Sequence, residues 1–137
     1  MMTDELKIRA FEHVGIRVCD AQRSMSFYKI LGFTQVLMLP EHNACEMENS
    51  EGQRINLIFS GDEPLLHGHN VLLDADTKFP GITHIAYVID SMSAFLSFCK
   101  LRDIKVTEGP IRIGERRVAC FIRDPDGTVL EFNELEK

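Results

Sequence analysis

The segment FEHVGIRV, residues 11–18, decides the fold because a second version of it occurs as ITHIAYVI at residues 82–89. In each version apolar residues alternate with other residues, which is the periodicity of a strand with two different faces. A histidine stands third in both, as His13 and His84. The two segments therefore predict an internal repeat, and a repeat outranks local propensity when a fold is assigned.

The residues after each segment continue the repeat. Asp20 and Asp90 are placed to cap helices over 21–31 and 91–103. Asp90 follows His84 more closely than Asp20 follows His13, which implies that one residue is lost between strand and helix in the second half. Three strand patterns follow each helix, and the turn sequences NSEG and DPDG precede the last strand of each half. The predicted order is βαβββ, a linker, and βαβββ.

This order predicts an α+β fold in which two βαβββ modules form a curved mixed sheet around a shared cup, with the helices outside. We expect a single domain over residues 1–137. Its predicted parts are a first module over 9–60, a linker over 61–79 and a second module over 80–135.

The composition limits the classes of function. A net charge of −6 argues against nucleic acid as a partner, because the phosphate backbone attracts basic surfaces. No apolar run is long enough for a membrane span, and the N-terminus lacks the apolar region of a signal peptide. We therefore expect a cytoplasmic protein without a membrane partner. The four cysteines form no C-x-x-C pair, which favours small apolar side chains over a redox or zinc motif.

The alternating strands separate an apolar face from a polar one. The apolar faces of the first and last strand of each module would pack under the helices, and the other faces would line a shared cup. When INLIF is aligned with LEFNE, Asn56 takes the position of Glu131. The predicted cup residues are His13, Asn56, His84 and Glu131.

Two imidazoles and a carboxylate at these positions favour a metal site. A lone histidine in a strand is more often a hydrogen-bonded core residue, but two at equivalent places of a repeat, together with Glu131, reverse that balance. The predicted ligands are His13, His84 and Glu131. This set suits a divalent Fe, Zn, Ni, Mn or Co ion and leaves coordination positions open for water or substrate.

The stretches HVGIRVCDAQRSMSFYKILGF, GITHIAYVID and RDPDGTVLEF resemble the vicinal oxygen chelate superfamily. That superfamily includes glyoxalase I, fosfomycin-resistance thiol transferases, methylmalonyl-CoA epimerase, extradiol dioxygenases and bleomycin-resistance proteins. The resemblance implies metal ligands on the first and last strand of each module, at His13, Asn56, His84 and Glu131. It also implies a homodimer, and in many members of the superfamily modules of two chains complete each cup, so the cup here could form within one chain or across the dimer.

The sequence departs from glyoxalase I-like enzymes at Asn56. Those enzymes usually have a ligating carboxylate there, and an amide cannot accept a proton at neutral pH. Asn56 could be a weak carbonyl ligand, a hydrogen-bonding neighbour that orients metal-bound water, or the place of a lost ligand; we favour the second. Glu131 is the expected catalytic residue, and Arg17, on the face of His13, is a candidate for binding an anionic group of the substrate.

Three functions remain open. We favour a metal-dependent, glyoxalase-like lyase or isomerase that acts on a small substrate with vicinal oxygens. The first alternative is an Fe(II) ring-cleaving dioxygenase or a thiol transferase of the same superfamily. The second alternative is a bleomycin-resistance-like protein that binds a small molecule without metal.

Three further groups of charged or polar residues have two interpretations each. Glu46 and Glu48 share a face of a predicted strand, where they could handle protons or form a solvated edge, and we favour the edge. Arg112, Arg116 and Arg117 could bind an anion, but we favour a solvated surface run. His67 and His69 could bind a metal ion or cover the cup, but we favour an exposed loop.

Overall fold

The computed structural model describes residues 4–62 and 70–137. The chain divides into two compact units, Met1–Asp62 and Glu63–Lys137. Each unit contains a helix and a four-stranded mixed sheet, so the predicted α+β class with two βαβββ modules is confirmed. His67 and His69 lie outside the described residues.

The first unit follows the predicted order, with a short 3₁₀ helix before its third strand. Its elements are β1 (Val14–Arg17), α1 (Ala21–Ile30), β2 (Thr34–Leu39), the 3₁₀ helix (Pro40–His42), β3 (Ala44–Glu48) and β4 (Arg54–Ile58). The strand order is β1-β4-β3-β2, with β1 parallel to β4 and the other pairs antiparallel. Its buried apolar side chains include Ile16, Val18, Tyr28, Phe33, Met47, Ile55 and Leu57.

The second unit repeats this topology. Its elements are β5 (Ile85–Ile89), α2 (Met92–Leu101), β6 (Val106–Ile113), β7 (Arg117–Arg123) and β8 (Val129–Leu135). The strand order is β5-β8-β7-β6, and β5 runs parallel to β8. Its buried apolar side chains include Met92, Phe95, Cys99, Cys120, Ile122, Val129, Leu130 and Phe132.

The helix caps confirm one prediction and correct another. Asp20 caps α1, since its side chain accepts a hydrogen bond from the backbone N–H of Arg23 at 2.9 Å. The N-cap of α2 is Ser91 and not Asp90, because the Ser91 hydroxyl accepts from the N–H of Ala94 at 3.1 Å. Aspartate and serine are both good N-cap residues, so only the backbone geometry decides between Asp90 and Ser91. With Ser91 as the cap, the two halves have equal spacing from histidine to helix and no residue is lost.

The cysteines have the surroundings expected of small apolar side chains. Cys45, Cys99 and Cys120 are buried, Cys19 is partly exposed, and all four are free thiols. Burial raises the pKa of the three buried thiols, which disfavours the reactive thiolate.

Among the described residues, no helix has the length and apolar character needed to cross a membrane.

Candidate functional site

The second unit brings His84 and Glu131 together. His84 directly precedes β5, and Ala86, two residues later on the same face, lies opposite Glu131 of β8. His84 Nε2 is 3.1 Å from Glu131 Oε1. The Glu131 side chain is 6% exposed and that of His84 is 24% exposed. A buried carboxylate therefore has an imidazole as its hydrogen-bonding neighbour.

The other side of the His84 ring is also held. His84 Nδ1 lies 2.8 Å from the hydroxyl of Thr83, and the ring packs against Phe121 with centroids 6.2 Å apart. Metal-binding histidines commonly use one ring nitrogen for the ion and the other for a hydrogen bond that orients the ring. In His84 the hydroxyl of Thr83 is the neighbour that fixes Nδ1, and Nε2 is the nitrogen that faces the Glu131 carboxylate.

Glu131 owes its position to the turn between β7 and β8. In the DPDG sequence the Asp124 carboxylate accepts hydrogen bonds from the backbone N–H groups of Asp126 and Thr128, both at 2.9 Å. Gly127 has φ = 90°, a conformation that glycine adopts without steric cost. The turn starts the register that places Glu131 opposite Phe121 on β7. As a result Glu131 lies on the sheet face that also carries Phe121.

A cavity of about 300 Å³ opens beside the His84–Glu131 pair. Its lining includes Arg116, Arg117 and Asn133. Arg117 Nε lies 4.0 Å from Glu131 Oε2, which is an ion-pair distance but too long for a hydrogen bond. Within the described part of the chain, Arg117 Nε and Asn133 Oδ1 are buried and make no hydrogen bond.

Asn133 was missed in the sequence, and Arg117 was considered for anion binding but assigned with Arg112 and Arg116 to a solvated surface run. That interpretation is right for Arg112, which is more than half exposed and pairs with Glu136. It is wrong for Arg117, which lies opposite Leu135 in the strand register. Leu135 and Glu131 are on the same face of β8, so Arg117 shares the sheet face of Glu131. The alternation of RRVACFIR was the available signal, because it assigns Arg117 to one face of β7.

The first unit places His13 and Asn56 at the equivalent register positions. In the first unit Gly15 lies opposite Asn56, and in the second unit Ala86 lies opposite Glu131. His13 is two residues before Gly15, just as His84 is two residues before Ala86. His13 is exposed, and its Nδ1 lies 3.0 Å from Glu12 Oε1. Asn56 Oδ1 is buried and has no hydrogen-bond partner among the described residues. Asn56 thus offers a buried carbonyl oxygen on β4.

Glu46 and Glu48 lie on one face of β3, as predicted, but they do not form a solvated edge. Arg54 Nη1 donates to Glu46 at 2.8 Å, and Arg54 Nη2 donates to Glu48 at 2.5 Å. The hydrogen bond to Glu48, followed by that to Glu46, raises the pKa of Arg54. Both carboxylates are therefore engaged by one guanidinium.

Arg17 is exposed on β1, and its Nε donates to the Ser60 hydroxyl at 3.2 Å.

Neither unit by itself assembles the predicted ligand set. Within the described residues of each unit, no three His, Cys, Asp or Glu side chains come close enough together to hold a metal ion. The second unit supplies His84 and Glu131 as a pair, and the first unit supplies His13 with Asn56.

Comparisons with known proteins agree on one superfamily. Residues 10–132 match the sequence profile of the Glyoxalase/Bleomycin resistance protein/Dioxygenase superfamily. The glyoxalase domain-containing protein RDO1 of Mycosarcoma maydis is 26% identical over 137 residues, which cover 96% of this chain and 72% of that protein.

Solved structures show the same fold. A glyoxalase/dioxygenase from Nostoc punctiforme is similar with a TM-score of 0.72 and 18% identity, over 99% of this chain and 100% of that one. TnmS3, an antibiotic binding protein from a Streptomyces species, is similar with a TM-score of 0.71 and 17% identity, over 96% and 100% of the two chains. At such identities the similarity concerns the fold and not the activity.

Proposed function

Since the chain belongs to the Glyoxalase/Bleomycin resistance protein/Dioxygenase superfamily, we propose that it is a metal-dependent enzyme acting on a small substrate with vicinal oxygens. The chemistry we assign is that of a glyoxalase-like lyase or isomerase. The proposal rests on one contact, the 3.1 Å approach of His84 Nε2 to Glu131 Oε1 beside a cavity of about 300 Å³.

The donor atoms fit a divalent ion. An imidazole nitrogen and a carboxylate oxygen that already approach each other are ligands suited to Fe, Zn, Ni, Mn or Co. We assign His84 and Glu131 as ligands, with His13 as the third. A bound ion would act as a Lewis acid on the vicinal oxygens of the substrate. The buried Oδ1 of Asn56 has the character of a hydrogen-bond acceptor for water at such a site.

Glu131 is the residue we assign to proton transfer. Among the described residues that line the cavity, it is the one carboxylate. Its Oε1 faces His84, and its Oε2 lies on the side of Arg117. Because the amide of Asn56 cannot take a proton at neutral pH, a single carboxylate has to accept and return it. We further propose that the protein is a homodimer, as the superfamily resemblance implies, and that it works in the cytoplasm.

The metal content of the purified protein tests this function. Wild-type protein prepared without added metal should contain stoichiometric divalent metal by plasma mass spectrometry. The His84→Ala and Glu131→Gln variants should lose most of it. His42→Ala is the matched control and should keep it, because His42 is exposed on the 3₁₀ helix.

Two results would overturn the metal-dependent function: metal-free wild-type protein that also takes up none on reconstitution, or an unchanged metal content in His84→Ala. Activity assays then distinguish the reactions. Turnover of a hemithioacetal supports the glyoxalase-like assignment. Oxygen consumption on a catechol with bound iron would instead favour the ring-cleaving dioxygenase.

A further inference from the structure

We propose that the substrate of this cavity is a 2-hydroxy carboxylate, whose carboxylate binds Arg117 and whose hydroxyl donates a hydrogen bond to Asn133 Oδ1. This inference rests on the proposed function in one respect, namely that the cavity beside His84 and Glu131 is the substrate site. It assigns roles to two residues outside the predicted ligand set.

Arg117 presents a hydrogen-bond donor without an acceptor. Its Nε is buried and makes no hydrogen bond within the described residues. The nearest carboxylate, that of Glu131, is 4.0 Å away, although an arginine beside a carboxylate usually closes to a direct charge-assisted hydrogen bond. A buried donor that stays unpaired costs free energy, so a ligand that supplies an oxyanion here gains from pairing it.

Asn133 presents the complementary acceptor. The residue is 4% exposed, and its Nδ2 donates to the backbone carbonyl of Tyr87 at 3.2 Å. This hydrogen bond directs Oδ1 away from Tyr87, and Oδ1 is buried without a donor among the described residues. A ligand hydroxyl at this position would satisfy it.

The two groups are close enough to bind adjacent parts of one small molecule. Arg117 lies opposite Leu135, and Ala119 lies opposite Asn133, so Arg117 and Asn133 are diagonal neighbours on one face of β7 and β8. Diagonal neighbours in an antiparallel pair are about 7–8 Å apart at the backbone, within reach of long side chains. A carboxylate and a hydroxyl on adjacent carbons match this donor and acceptor, and they are also vicinal oxygens.

The remaining lining suggests an apolar body for this ligand. Val88 and Leu135 line the same cavity and are 67% and 38% exposed. Their apolar surface would be removed from water by a hydrocarbon group attached to the hydroxy acid. Mandelate combines a carboxylate, a vicinal hydroxyl and a phenyl ring. Mandelamide has the same shape without the charge.

Calorimetric binding of these two probes tests the inference. Wild-type protein should bind mandelate at least tenfold more tightly than mandelamide, and added salt should weaken mandelate binding alone. Arg117→Gln should reduce the affinity ratio to near one. The matched control is Arg112→Gln, which removes an arginine that pairs with Glu136 outside this cavity and should leave the ratio unchanged.

Asn133 is tested with a third probe. Phenylacetate lacks the hydroxyl, so the ratio of mandelate affinity to phenylacetate affinity should fall several-fold in Asn133→Leu relative to wild type. The inference fails if wild type binds neither mandelate nor mandelamide at millimolar concentration, or if it binds both equally. It also fails if the ratio survives in Arg117→Gln. The salt dependence of the wild type remains decisive if a variant does not fold.

The failure of this inference is separable from failure of the proposed function. Binding is measured on protein before and after removal of metal by a chelator, and metal content is recorded for each sample. An Arg117-dependent preference for mandelate in protein that never binds metal would refute the metal-dependent function alone. Metal-loaded wild type that shows no preference for mandelate would refute the hydroxy-acid inference alone.

Discussion

Asn56 lies directly opposite Glu46 in the antiparallel register of β3 and β4, and Glu46 is paired with Arg54 at 2.8 Å. The resemblance to glyoxalase I-like enzymes implies a carboxylate at the position of Asn56. In this chain a carboxylate already lies across the strand pair, where one guanidinium serves both Glu46 and Glu48. An amide at position 56 avoids a second negative charge opposite Glu46.

Replacing the Asn56 amide by a carboxylate should strengthen metal binding and lower the stability of the sheet. Asn56→Glu should raise metal affinity and increase hemithioacetal turnover above the wild-type rate, because it adds an anionic ligand and a proton acceptor. It should also lower the free energy of unfolding by about 0.2–1 kcal/mol, the usual cost of like charges directly opposite in a strand pair. Metal titration, a hemithioacetal assay and urea denaturation measure the three effects.

Asn56→Gln is the control for side-chain length, since it lengthens the side chain without adding charge. It should produce neither faster turnover nor tighter metal binding than wild type. Metal affinity and turnover that both stay at the wild-type level in Asn56→Glu would contradict the view that the amide at position 56 distinguishes this chain from four-ligand enzymes.

Tyr87 should make the protein sensitive to alkaline pH. Burial raises its pKa from 10.0 to about 12, because the phenolate is poorly solvated beside Phe132. A raised pKa in the folded state means that this stabilisation is fully present below pH 10 and is lost as the pH rises through about 12. The loss across this window should be about 2–3 kcal/mol in the free energy of unfolding.

Urea denaturation of wild type and Tyr87→Phe at several alkaline pH values measures this loss. The stability difference between the two proteins should change in favour of Tyr87→Phe as the pH rises from 10 to 12. The raised thiol pKa values of Cys45, Cys99 and Cys120 affect both proteins and cancel in the comparison. Two pH profiles that stay parallel would show that Tyr87 ionises alike in the folded and unfolded chain.

The core side of β4 should carry much of the stability of the first unit. Leu57, the residue after Asn56, is fully buried. Leu57→Ala should lower the free energy of unfolding by about 2–5 kcal/mol, because it removes buried methyl groups and leaves a cavity. Leu101→Ala should change it by less than about 0.5 kcal/mol, since Leu101 is 83% exposed at the end of α2. Equal losses in the two variants, measured in urea, would contradict the assigned faces of β4.

The order of elements and the equivalent positions in the two halves could be predicted from the sequence. Residue alternation in FEHVGIRV and ITHIAYVI encodes which side chains share a face, because successive side chains in a strand point to opposite sides. The alignment of INLIF with LEFNE placed Asn56 and Glu131 at matching positions of β4 and β8, and the two residues have equivalent strand partners in Gly15 and Ala86. These features depend on neighbours within one strand, so a linear pattern suffices to predict them.

Contacts between strands were decided only by the tertiary structure. The pairing of Glu46 and Glu48 with Arg54, and the approach of Arg117 to Glu131, depend on strand register. Register is set by turns, bulges and packing across the sheet, and a shift of one residue would reverse the faces. The sequence by itself therefore determined the fold and the candidate residues, whereas the tertiary structure decided which charged groups meet, because those partners lie on different strands.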